Sequence, residues 1–135
     1  MKHISDKRRA LIEDAGPIRE ALIKAVGKCE ICGHSPRKPN KELPPDLSAL
    51  CVHEIANGPN RPRALDKNYA TLVTCWACNS LELTNKRIWP LDRQLAMLLK
   101  SRPDDYDLQA FCRLLNPNAP NRIEQWEVDQ WLDSD

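Results

Sequence analysis

Cys29-Glu30-Ile31-Cys32, Leu50-Cys51-Val52-His53-Glu54-Ile55 and Cys75-Trp76-Ala77-Cys78-Asn79 form a middle stretch in which two Cys-x-x-Cys pairs bracket a histidine. One Cys-x-x-Cys turn lets two thiolates reach a single ion, and two such turns complete the all-sulfur tetrahedron of closed structural zinc sites. Four soft ligands select zinc over magnesium or calcium. The expected ligands are therefore Cys29, Cys32, Cys75 and Cys78. A redox pair, or thiols buried as small apolar residues, is the alternative. The pairs are separated by 42 residues, 33 to 74, which is room for a small functional unit, and that insert holds His53.

Outward from this centre, composition bounds the rest. At 135 residues the chain fits one domain with a modest core, to which a zinc would contribute stability. No stretch approaches the roughly 18 apolar residues that span a bilayer. The start, Met1-Lys2-His3-Ile4-Ser5-Asp6-Lys7, has no apolar signal core. The expected setting is the cytoplasm, with no membrane partner, where six cysteines suit metal better than disulfides. Cys51 and Cys112 are then left over as packed thiols, and His34 reads as an exposed loop residue.

The net charge of +1 conceals an asymmetry. Residues 1–41 carry ten Lys or Arg against five acids, residues 42–102 eight against six, and residues 103–135 two against eight. A basic front and centre suit a phosphate backbone, which rewards each neutralising contact by counterion release. Solvated helix faces account for the same pattern.

Hydrophobic spacing predicts helices over 5–14 and 17–26, interrupted at Gly16-Pro17, with Gly27 as the stop. Residues 33–46 and 56–67 read as Pro/Gly/Asn loops, 47–55 and 71–74 as short strands, and 76–85 as a helix opening from the second cysteine turn. Pro90 starts a helix to Ser101, Asp104 or Asp105 caps another through Leu115, and Ile123 to Leu132 forms a last one with an acidic face. The organisation is one domain over 1–135: N-terminal helices at 1–26, a zinc-bound core at 27–85 and a C-terminal helical extension at 86–135.

Val52-His53-Glu54-Ile55, a basic Gly/Asn/Pro loop, and Leu72-Val73-Thr74-Cys75-x-x-Cys78-Asn79 together resemble the HNH, or ββα-metal, endonucleases of the four-cysteine type. Asn79 falls where that family has a terminal His or Asn, and the string looks most like small HNH proteins of phage and prophage regions. The resemblance covers about residues 27 to 85 and implies an α+β fold: a zinc-clamped, treble-clef-like ββα core flanked by helices.

It also implies hydrolysis of DNA phosphodiester bonds with one Mg2+ or Mn2+, in a bacterial or phage-infected cell. His53, Glu54 and Asn79 would be the catalytic residues, with Asn79 and His53 or Glu54 on the divalent ion and the other residue activating water. The structural zinc would only clamp the turns. Arg61, Arg63, Lys86 and Arg87 would follow the DNA phosphates. Aligning on Ile55 puts His53 at the family's metal position and Glu54 at its base position, so the division of roles between them is open. The family's middle Asn falls at Ala70, with Asn68 two positions earlier.

Read singly, each residue fits a structural role better: His53 as a hydrogen-bonded core histidine, Glu54 as a surface acid, Asn79 as a helix cap, and Arg61 and Arg63 as solvated loop residues. The rival functions are a non-cleaving, zinc-stabilised nucleic-acid-binding or regulatory module and a protein adaptor using Trp126 and Trp131. A protein partner supplying specificity fits either nucleic-acid reading.

Overall fold

The computed structural model describes residues 6–33, 50–56, 61–75, 78–79, 87–115 and 123–132. These form a two-stranded antiparallel sheet and five helices: α1 (Asp6–Val26), β1 (Leu50–Glu54), α2 (Arg61–Ala64), β2 (Thr71–Cys75), α3 (Leu91–Ser101), α4 (Leu108–Leu115) and α5 (Gln125–Leu132). A short 3-10 turn, Asn68–Ala70, leads into β2. The expected helix over 76–85 lies outside the described residues apart from Cys78 and Asn79, as do His34 and most of the 33–46 loop.

The expected break at Gly16-Pro17 does not occur, because α1 runs through Pro17 without interruption. A proline inside a helix removes one backbone hydrogen bond and costs about 3 kcal/mol. Anchors on one face offset that cost. Ala15 and Leu22 are buried, and between them Arg19 donates to the carbonyls of Leu65 at 3.1 Å and Val52 at 2.8 Å. The spacing 15, 19, 22 places all three toward the sheet. Gly27, at φ +70°, ends the helix in the left-handed region and turns the chain into Cys29.

β1 and β2 pair in the register Leu50 with Cys75, Val52 with Val73 and Glu54 with Thr71. A lone hairpin is marginal in water, and helices flank this one: α1 touches both strands and α3 touches β2. The segment expected as a loop over 56–67 contains α2 instead. Burial of Ala64 and Leu65 draws it against the protein, and Pro62 suits a first helical turn.

The main core joins Ile55, Ala64 and Leu72 to Leu95, Leu98, Phe111, Leu115 and Val128, so the sheet and the C-terminal helices share it. Pro90 does precede α3. The cap of α4 is not Asp104 or Asp105 but Asp107, whose Oδ1 accepts from the Ala110 amide at 3.0 Å. Asp105 is engaged elsewhere, 2.7 Å from Arg102. In α5, the Glu127 carboxylate reaches back to the Glu124 amide at 2.9 Å, as in a capping box. No helix among the described residues is long and apolar enough to cross a membrane.

Candidate functional site

The first cysteine turn follows α1 directly. Gly33, at φ +76°, lets its amide fold back onto the Cys29 carbonyl at 2.9 Å. The Cys32 amide meanwhile donates to Cys29 Sγ at 3.5 Å. Cys75 closes β2, and Cys78 follows three residues on. The four sulfurs lie within 4.8 Å of one another. A tetrahedral zinc with bonds of about 2.3 Å needs sulfurs about 3.8 Å apart, and Cys32 Sγ is 3.9 Å from Cys75 Sγ.

Cys29, Cys75 and Cys78 are buried and Cys32 is exposed. Burial opposes ionisation of Cys29, but the amides of Cys32, Cys75 and Ile31 outweigh it and hold that thiol below its ordinary range. Burial, with the neighbouring Cys75, Cys29 and Cys32 sulfurs, pushes the Cys78 thiol up. Thiols this close cannot all ionise unless a cation sits among them. The cluster could hold a structural metal such as zinc. Cys51 and Cys112 lie apart from it, bonded to the carbonyls of Thr74 and Ile123.

His53 lies on β1 opposite Leu72, with Cys51 on the same face two residues earlier. It is 9 % exposed. Its Nδ1 is 3.1 Å from Asn79 Oδ1, and its Nε2 is 2.8 Å from Gln94 Oε1. Asn79 Nδ2 also reaches Cys51 Sγ at 3.5 Å. The fold thus brings His53 and Asn79 together beside the cysteine cluster. Glu54 points to the opposite face, as strand alternation requires, and its carboxylate lies 3.9 Å from Arg19.

Among the residues expected to meet phosphate, Arg63 is exposed and donates to the Leu114 carbonyl at 3.2 Å, at the end of α4. Arg87 is exposed in the turn before Trp89. Lys86 and the side chain of Arg61 lie outside the described residues.

Sequence reasoning passed over Gln94 and Glu30, and it expects Arg19 to face outward with Lys24 and Lys28, whereas Arg19 turns inward to the carbonyls of Val52 and Leu65. Gln94 carried a usable signal, since it interrupts the apolar face that Leu91, Leu95 and Leu98 form on α3. Glu30 carried none, because the partners of its buried carboxylate, Arg102 and the Val73 amide, are distant in sequence. No protein-family model, curated protein or solved structure matches the chain.

Proposed function

We propose that the chain is an HNH-type endonuclease, hydrolysing DNA phosphodiester bonds with one divalent cation on a zinc-clamped ββα scaffold. The observation that carries this reading is His53 Nδ1 standing 3.1 Å from the Asn79 side chain, beside the tetracysteine cluster. His53 next to the end of one strand, a second strand running into a cysteine turn, and Asn79 after it support the family resemblance. A hard cation, Mg2+ or Mn2+, would supply positive charge to the scissile phosphate and the departing oxygen when bound.

In this reading Asn79 offers its amide oxygen as a ligand, and His53, as a neutral imidazole, accepts the proton of the attacking water. The water oxygen bonds to phosphorus as the bond to the 3′-oxygen breaks, and solvent protonates that oxygen. Glu54 is held toward Arg19 on the other face and supports the strand instead of the reaction. The zinc stays structural. Arg61, Lys86 and Arg87, with whatever fraction of Arg63 is released from its carbonyl bond, attract the DNA backbone.

A second reading, a non-cleaving nucleic-acid module on the same scaffold, draws on one observation: His53 is 9 % exposed, which limits the approach of substrate. Nicking of supercoiled plasmid by the zinc-loaded protein, with and without Mg2+ or Mn2+, separates the two. Divalent-dependent nicking supports the nuclease. Salt-sensitive binding without nicking supports the module.

A further inference from the structure

We infer that Gln94 is a positioning residue for His53, fixing its protonated nitrogen as Nε2 and so directing the imidazole lone pair at Nδ1 toward Asn79. The catalytic consequence rests on the nuclease reading, whereas the tautomer does not. Gln94 is fully buried on α3, outside the ββα unit. Its Nε2 donates to the Trp89 carbonyl at 2.9 Å, and its Oε1 lies 2.8 Å from His53 Nε2.

A carbonyl oxygen only accepts, so the Trp89 contact decides which end of the amide faces which neighbour. Turning the Gln94 amide over would set oxygen against oxygen in a buried site. The end facing His53 is therefore an acceptor, and His53 Nε2 must carry hydrogen to meet it. The Trp89 carbonyl is itself held in place. Arg93 stacks on the Trp89 ring at 3.9 Å from its centroid and donates to the adjacent Ile88 carbonyl at 2.6 Å.

The other ring nitrogen has a softer environment. Asn79 is half-buried, and its amide is oriented by a weak N–H···S contact of 3.5 Å to Cys51. Its Oδ1 faces Nδ1 at 3.1 Å, so with hydrogen on Nε2 the Asn79 amide must turn over to donate to the unprotonated Nδ1, or leave that nitrogen to a water molecule. A rigid contact on one side and an adaptable one on the other is what a proton acceptor needs.

Long-range 1H–15N NMR of the zinc-loaded full chain with labelled histidine reads the tautomer directly, with His53→Ala assigning the signal. The neutral Nε2–H form is expected in the wild type. Gln94→Met, which keeps volume but removes the acceptor, should give mixed tautomers and lower kcat for nicking about 10- to 100-fold with KM unchanged. A wild-type Nδ1–H form overturns the inference even if Gln94→Met fails to fold, as does a Gln94→Met spectrum identical to wild type. An Nε2–H form abolished in Gln94→Met, in a protein that never nicks, sustains the positioning role and removes the nuclease reading instead.

Discussion

Arg102 Nε lies 3.1 Å from Glu30 Oε2, joining the first cysteine turn to the residue that ends α3, 72 positions away in sequence. The Glu30 side chain is fully buried, and Ser101 Oγ also donates to it. Glu30 lies against the outer edge of β2, its amide donating to the Val73 carbonyl at 2.7 Å and its carboxylate accepting from the Val73 amide at 2.8 Å. Arg102 spends its remaining donors on the Thr71 and Asn68 carbonyls and on Asp105. One ion pair thus satisfies a strand edge, seats the first cysteine turn and docks the C-terminal helices.

Arg102→Ala should therefore destabilise the fold by about 3 to 5 kcal/mol, because it strands a buried carboxylate and two carbonyls. Chemical denaturation measures it. A loss below about 1 kcal/mol, the range of an exposed pair, would mean that water reaches Glu30.

One zinc per chain is expected on purification, with chelation unfolding much of the protein, since metal binding and folding are linked in a site built from thiolates. Elemental analysis and thermal melts with and without chelator check this. Cys29→Ser should lose both metal and stability, whereas Cys112→Ala should retain the metal, because Cys112 bonds to Ile123 away from the cluster.

His53→Ala should reduce divalent-dependent nicking by about 10²-fold or more while zinc content holds. Glu54→Gln should retain nicking, because its carboxylate faces Arg19. The reverse result, with His53→Ala active and Glu54→Gln dead, would move the proton acceptor to the other face of the strand.

Replacing Arg61 and Arg63 together with Ala should weaken DNA binding about equally across sequences and lower the salt slope by about one unit for each phosphate that is no longer neutralised. Arg63→Ala alone should also cost stability, less than about 1 kcal/mol, through its bond to the Leu114 carbonyl. Fluorescence anisotropy across a salt series tests the first effect. A changed base preference at constant slope would make these arginines readers of a groove edge.

Local rules made part of this protein legible in its residues alone. Cys-x-x-Cys spacing marked the four sulfurs that converge, and helical periodicity located α3, α4 and α5 to within a few residues. Alternation along β1 separates His53 from Glu54, a consequence of the strand assignment itself. Other features required distant partners. Pro17 stays inside one helix because Arg19 finds the carbonyls of Val52 and Leu65. Asp107 caps α4 because Arg102 occupies Asp105. Gln94 meets His53 because α3 packs across the sheet. Spacing determines which groups can share one turn or one face, since backbone geometry repeats locally. Which buried amide or carboxylate completes a histidine or an arginine is decided only when packing removes water and leaves each polar group dependent on its nearest neighbour.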